Sequence, residues 1–203
     1  MRVTTGSAKG RNLKGPPTIG TRPMSDKIRQ AVFSALASLG VQPERVLDLY
    51  AGTGAIGIEA LSRGADHADF VEMTAPAAAV IRENLERTQL TDRGNVHRQS
   101  VQSFLHRKAS PYDLVVLDPP YADAAIADTL KQLAESALVQ SGTVVVLGHW
   151  PRLELAEQIG RLELLKRRCH GNSCFSIFEI VEPDSATETA LPMFEVDGIG
   201  IER

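Results

Sequence analysis

Residues 46–57 read VLDLYAGTGAIG, a short apolar run that gives way to three glycines. Val46 to Tyr50 has the pattern of a buried strand, and it opens through a glycine-rich turn into a helix starting near Ala55. A parallel central strand hands over to its helix in this way. Gly52 and Gly54 allow backbone conformations closed to other residues and clear side chains from the path of a ligand. The free N–H groups of the following helix face whatever lies in the turn. Twenty residues past Gly52, after the strand-like run His67 to Val71, stands Glu72, an acid placed for ribose hydroxyls. The stretch predicts a nucleoside-bearing cofactor.

Gly52, Gly54 and Gly57 with Glu72 satisfy a dinucleotide-binding pattern by spacing alone. Asp48, inside the strand and four residues before Gly52, separates the two readings. A carboxylate there suits a cationic amino-acid group lying over the turn, as in S-adenosylmethionine. Beneath a pyrophosphate it would add like-charge repulsion.

The 203 residues suffice for one sizeable α/β domain with a small appendage. Apolar content of 43% and charged content of 23% are ordinary for a globular protein. No apolar run approaches a membrane span, and the N-terminus lacks a signal peptide's apolar core. Cys169 and Cys174 are too few for a disulfide framework and have no histidine pair to complete a metal site, so reduced thiols, a cytoplasmic location and no metal are expected. The net charge of −3 is unevenly spread. Residues 1–30 carry seven cations (Arg2, Lys9, Arg11, Lys14, Arg22, Lys27, Arg29) against Asp26, an excess of +6, which leaves −9 for the remainder. A basic arm on an acidic protein suggests a polyanionic partner gripped at one end, although a solvated, flexible terminus would look the same by charge alone.

In chain order, Arg2–Thr5 against Arg11–Lys14 reads as a short hairpin, followed by a connector containing Pro16, Pro17 and Gly20. Ser25 is placed to cap a helix from Asp26 to about Leu39. From Arg45 strands and helices alternate, which predicts a doubly wound parallel sheet. Strands are expected at 46–50, 67–71, 96–99, 112–117 and 143–147. Helices are expected at 56–63, 76–88, 101–106, 124–138 and 152–159. Two last strands, Leu162–Arg168 and Phe175–Val181, read as an antiparallel hairpin. The acidic stretch from Glu182, with two prolines and little periodicity, is expected to be poorly ordered. The division is therefore a basic hairpin and connector (1–24), a catalytic domain (25–181) and an acidic tail (182–203).

Asp118-Pro119-Pro120-Tyr121 follows a buried strand, which puts it on the same sheet edge as the glycine turn, where open α/β sheets bind ligands. Two prolines make a rigid turn and remove N–H donors. Asp118 and the Pro119 carbonyl supply acceptors and Tyr121 an aromatic face, a set suited to the exocyclic amine of a planar base.

The phrases GTRPMSDKIRQAVFSAL (20–36), LDLYAGTGAIGIEALSRGA (47–65) and VVLDPPY (115–121) are similar to those of the RsmD family, and CHGNSCFSIFEI resembles its closing hairpin. The resemblance covers residues 1 to 181 in family order. It implies a Rossmann-like methyltransferase fold: a mostly parallel seven-stranded sheet ending in an antiparallel hairpin, with a small N-terminal hairpin and helix. It also implies transfer of methyl from S-adenosylmethionine to the N2 amine of a guanine in 16S ribosomal RNA, free or within a 30S particle, by a monomer. Asp118, Pro119, Pro120 and Tyr121 then fall in the catalytic motif. Asp48, Tyr50, Ala51, Gly52, Thr53, Gly54, Glu72, Met73, Ser100 and Val101 fall in the cofactor site, and Arg11, Lys14, Arg22, Lys27 and Arg29 are the candidates for RNA phosphates. The chain departs from the family at Ser100, where an acid is usual, at Leu147-Gly148-His149, where a Glu commonly ends the strand, and at Met24, which follows Arg22-Pro23 where a Thr is normal. Other classes with similar motifs are adenine-N6 methyltransferases of DNA or RNA, nicotinamide oxidoreductases, and a non-catalytic ribosome-assembly factor on the same fold.

Overall fold

The computed structural model describes residues 1–16, 24–120 and 125–182. One eight-stranded sheet forms its centre. In chain order the elements are α1 (Asp26–Ser38), β1 (Arg45–Leu49), α2 (Ala55–Arg63), β2 (His67–Val71), α3 (Ala75–Thr88), β3 (Gly94–His97) and α4 (Val101–Leu105). They continue as β4 (Leu114–Leu117), α5 (Ile126–Glu135), β5 (Val144–His149), β6 (Gln158–Ile159), β7 (Leu162–His170) and β8 (Ser173–Ile180). The strand order is β3-β2-β1-β4-β5-β8-β7-β6. Strands β1 to β5 are parallel to their neighbours, and β8 joins β5 antiparallel. The seven expected strands are present, and the short β6 is an eighth.

The central strands are apolar throughout because both faces of the sheet are covered. On one face Val46, Phe70, Val116, Val146 and Phe175 pack under α1, α2, α3 and the N-terminal segment. On the other, Leu47, Leu49, Leu117, Leu147 and Phe178 pack against α4 and α5. Strand order reverses between β1 and β4, so the carboxyl ends of these two strands border the crevice in which such sheets bind ligands. No helix among the described residues is long and apolar enough to cross a membrane.

The N-terminal segment is docked rather than free. The expected hairpin is reduced to a single antiparallel bridge, Arg2 with Asn12, and Val3, Ala8 and Leu13 enter the core. Glu59, buried on α2, organises the docking. Its carboxylate accepts from Thr4 N (2.8 Å), Thr4 Oγ1 (2.6 Å), Thr5 N (3.1 Å) and Arg63 Nε (2.9 Å), and lies 3.5 Å from Arg29 Nε. Asn84, buried on α3, adds a second tie. Its amide bonds the Lys14 backbone in both directions and donates to Thr53 O at 2.9 Å, linking this segment to the glycine turn.

Two sequence expectations are corrected. No helix forms at 152–159: Leu164 N reaches Glu157 O and the Arg167 guanidinium reaches Leu155 O, so that backbone is tied to β7 and ends in β6. Cys169 and Cys174 are not free thiols but a disulfide. They are direct partners across the β7–β8 hairpin, Cα atoms 4.0 Å apart, so the turn that pairs the strands also brings the sulfurs together. The expected tail beyond Glu182, and Arg22 and Tyr121, lie outside the described residues.

The buried carboxylate of Glu59 is the joint between α1, α2 and the N-terminal segment. Glu59→Ala leaves Arg29 as a buried guanidinium without this counter-ion, and the expected loss is about 3–5 kcal/mol. Urea unfolding by circular dichroism measures it; a loss within error of an exposed-site control would show that the pair contributes nothing.

Candidate active site

The turn after β1 is wound left-handed at three places, Tyr50 (φ 58°), Gly52 (φ 54°) and Gly54 (φ 73°). For Tyr50, an L-residue with a Cβ, this costs roughly 1–2 kcal/mol. Carboxylates hold the turn. Asp48 Oδ2 accepts from Gly57 N at 2.9 Å, and Glu72 Oε2 accepts from Gly52 N at 3.1 Å while its Oε1 accepts from Thr74 N and Thr74 Oγ1. Gly57 must lack a side chain, since a Cβ would lie 2.4 Å from the Phe70 ring and 3.2 Å from Asp48 Oδ2. Ala51 and Thr53 are buried beneath the turn, and Met73, beside Glu72, is 68% exposed at its rim. Ser100 caps α4, accepting from Ser103 N at 3.2 Å, and Val101 behind it is buried.

Burial pushes the Asp48 carboxyl up to about 8; the Gly57 N–H opposes this, and the nearby charges of Asp118 and Glu72 add to it. Three carboxyls thus share one edge. Asp118, immediately after β4, is raised to about 6 by burial, with the Met24 N–H (3.3 Å to Oδ2) pulling the other way. Its seat depends on Gly148 at the end of β5, where a Cβ would come within 2.5 Å of Asp118 Oδ1 and 3.0 Å of Met24 Cε.

Next to Asp118 a shallow, open pocket is lined by Pro119, Pro120, Ile126, Gly148, His149, Trp150 and Leu153. Trp150 is 46% exposed at this mouth. A directional chain supports the wall. Arg167 Nε donates to Ser176 Oγ (3.3 Å), Ser176 meets His149 Nε2 (2.9 Å), and His149 Nδ1 meets Trp150 O (2.7 Å). A carbonyl only accepts, so His149 carries its proton on Nδ1 and accepts at Nε2. Burial lowers its pKa, consistent with a neutral ring.

The structure brings Asp48, Glu72, the 50–54 turn and Asp118-Pro119-Pro120 to one edge. The basic arm is only partly as charge counting suggested: Arg2, Lys9, Lys14 and Lys27 are exposed, but several of its cations are engaged within the fold. Arg29 is a correction: its side chain is buried, donating to Arg2 O and Asp26, so it does not face solvent. Arg11 bonds Arg87 O and Gln89, and Lys14 pairs with Glu83 at 2.5 Å, whereas Lys27 is exposed, as the sequence led one to expect. Met24, Gly148 and His149, which the sequence marked only as departures from the family pattern, prove to shape the site, and Asn84 and Trp150 do so with no signal in the sequence.

A sheet of this order, with an acid-lined glycine turn and an Asp-Pro-Pro turn at its switch point, defines the Rossmann-like methyltransferases, whose cofactor is S-adenosylmethionine. A family model described as "Conserved hypothetical protein 95" matches residues 1–179. The "Ribosomal RNA small subunit methyltransferase D" of Escherichia coli K12 is 32% identical over 187 residues, covering 85% of this chain and 93% of its own. The structure of a hypothetical protein from Thermus thermophilus superposes with a TM-score of 0.74 at 31% identity, over 89% of this chain and 99% of that one. An RNA methyltransferase of Salinibacter ruber in complex with S-adenosyl-L-homocysteine shares the fold at a TM-score of 0.61 and 18% identity, over 79% of this chain and 95% of that one. The chain belongs to the RsmD family of ribosomal-RNA methyltransferases.

The buried carboxyl makes the cofactor-free protein pH-sensitive. Asp48 ionises near pH 8 when folded but near 3.8 as a free side chain. Between those values the unfolded chain has released a proton that the folded one keeps, so the stability present below pH 4 is lost progressively as pH rises towards 8. Asp48→Asn keeps an acceptor for Gly57 and cannot ionise. Its Tm advantage over wild type should grow from pH 5 to pH 8 and then level off; a difference independent of pH in differential scanning calorimetry would contradict the assignment.

Proposed function

We propose that this protein transfers a methyl group from S-adenosylmethionine to the exocyclic N2 amine of a guanine in 16S ribosomal RNA. The observation that carries this reading is the recessed Asp118 carboxylate, with the Pro119 carbonyl beside it, between an acid-lined cofactor turn and an open pocket. The name of the Escherichia coli relative supports the RNA class.

The residues of the turn fit the cofactor. Mutual repulsion among Asp48, Glu72 and Asp118 is relieved by a cation and worsened by a pyrophosphate. Asp48 would face the amino-acid end, Glu72 the ribose, the 51–54 backbone the space between, and Met73 with Ser100 and Val101 the adenine. Bound S-adenosylmethionine supplies an electrophilic methyl on its sulfonium. The guanine N2 lone pair is delocalised into the ring, so the protein's task is to orient it and concentrate charge on it. Asp118 and the Pro119 carbonyl accept the two N–H groups, and Pro120 keeps that turn rigid. The base leaves its stack to reach the pocket, with Tyr121 assigned to its face. RNA, alone or in a 30S particle, docks on a monomer whose exposed cations grip phosphates. Incubation with labelled cofactor and unmodified small-subunit particles, then mass spectrometry of the labelled base, tests the reading. Label on adenine N6, or none, overturns it.

Asp118→Ala should lower turnover roughly 10²- to 10³-fold, the scale for losing one aligned polar contact to developing charge. Affinity for S-adenosylhomocysteine by calorimetry should change little, and Asp118→Asn, which keeps an acceptor, should retain part of the activity. Because the carboxylate is the working form, wild-type turnover should fall as pH drops through about 6. Near-wild-type turnover in Asp118→Ala would remove this residue from the mechanism.

Gly148→Ala provides an independent check on the same geometry. The added methyl displaces the Asp118 carboxylate, so kcat should drop while cofactor affinity holds; an unchanged kcat would show that the carboxylate can shift without consequence.

A further inference from the structure

We infer that the β7–β8 hairpin is a phosphate-binding arm for RNA, with Arg168 gripping the backbone next to the target base. The inference rests on the RNA reading above. Its starting point is a charge asymmetry that formal counting over the N-terminus hides. Residues 164–178, LLKRRCHGNSCFSIF, hold three cations and no acid. Of the described N-terminal cations, Arg11, Lys14 and Arg29 are committed to Arg87, Gln89, Glu83, Asp26 and Arg2, and Arg2, Lys9 and Lys27 remain exposed, so the hairpin adds a second basic surface rather than replacing the first.

Register places these cations relative to the chemistry. Gly148 pairs with Phe175, and Phe175 pairs with Arg168, so the three share one row and one face of the sheet. That face is the one on which a Cβ at Gly148 would strike Asp118. Arg168 thus stands two strand spacings from Gly148, about 10 Å, on the side of the catalytic carboxylate. Lys166 follows on the same face and reaches Ser38 of α1 at 3.3 Å. Arg168 itself is exposed and enters no ion pair among the described residues.

The hairpin is also rigid and joined to the pocket. The Cys169–Cys174 disulfide closes its end, one residue beyond Arg168. Arg167 reaches the pocket wall through Ser176 and His149 to the Trp150 carbonyl, and it also donates to Leu155 O in the segment that follows the wall. A cationic strand fixed to the wall of a base pocket holds phosphates in register with the extruded base without reading sequence.

The test measures binding of an unmodified small-subunit rRNA transcript across a range of salt concentrations for wild type, Arg168→Ala, Arg168→Glu and Lys131→Glu. Lys131 is an exposed cation on α5, on the opposite face of the sheet, and controls for bulk charge. For Arg168→Ala the log–log salt slope should fall by roughly one unit, the loss expected for one phosphate contact. Arg168→Glu should weaken affinity at least tenfold at about 0.1 M salt, and Lys131→Glu should stay close to wild type. S-adenosylhomocysteine affinity, measured on each variant, verifies that the site remains folded. Equal slopes for wild type and both Arg168 variants, or an equal effect of Lys131→Glu, would overturn the inference. The readout is binding, so it separates from the catalytic reading. A wild type that binds RNA through Arg168 but methylates no guanine would sink the guanine assignment and leave the hairpin standing.

Discussion

A carboxyl inside the central strand, hydrogen-bonded to the first turn of the next helix, is the contact on which the site is built. Asp48 Oδ2 to Gly57 N fixes where α2 begins, and α2 can come that close only because residue 57 has no side chain to meet Phe70. Between these two anchors the chain has little choice but the left-handed turn at Tyr50, Gly52 and Gly54, which Glu72 then clamps from the end of β2. The same helix, further along, presents Glu59 to the N-terminal segment. A single helix position therefore sets both the cofactor turn and the docking of the arm. Asn84 repeats the coupling from α3, with one amide touching Thr53 and Lys14.

Legibility in the sequence followed physical range. Elements whose residues alternate or run apolar over four or more positions were readable, because burial on one or both faces of a sheet imposes the period directly. So β1, β2, β4 and β5 fell within a residue or two, and the switch point between β1 and β4 followed from their order. The 152–159 segment failed for a corresponding reason. Its apolar spacing suits a helix, but Arg167 and Leu164, distant enough in sequence to be invisible to a local reading, take its backbone into an irregular path. The disulfide is an intermediate case: the hairpin of Leu162–Arg168 and Phe175–Val181 was legible, and its register sets Cys169 opposite Cys174.

Charge was the least legible property. A formal excess of +6 counts side chains without their partners, and folding supplies partners. Arg29 shows the extreme: from sequence it is a solvent-facing cation at a helix start, yet it is buried against Glu59 and Asp26. Glu59 gave no hint of this, since a lone acid in a short helix is ordinary in a sequence. Cations left without partners exert the long-range field that a polyanion feels. Strand register and helix packing decide which charges keep that freedom: Arg11, Lys14 and Arg29 of the +6 segment are tied within the fold, while Arg168 of β7 is exposed and enters no ion pair among the described residues.

The same accounting explains why the active edge is the least relaxed part of the molecule. Asp118 and Glu72 raise the cost of ionising Asp48, and Tyr50 sits in a conformation it would not choose. A fold bears such a cost where function demands it, and a cation at the turn would convert the repulsion into attraction. The Asp118 side of the edge obeys the same logic through shape rather than charge. Gly148 opens room for the carboxylate, Met24 N–H holds it, and residues 24–26 thereby tie Asp118 to the start of α1. The glycine turn and Asp118 thus lie on one constrained edge, and α1, α2 and the N-terminal segment, joined at Glu59, pack against the sheet behind it.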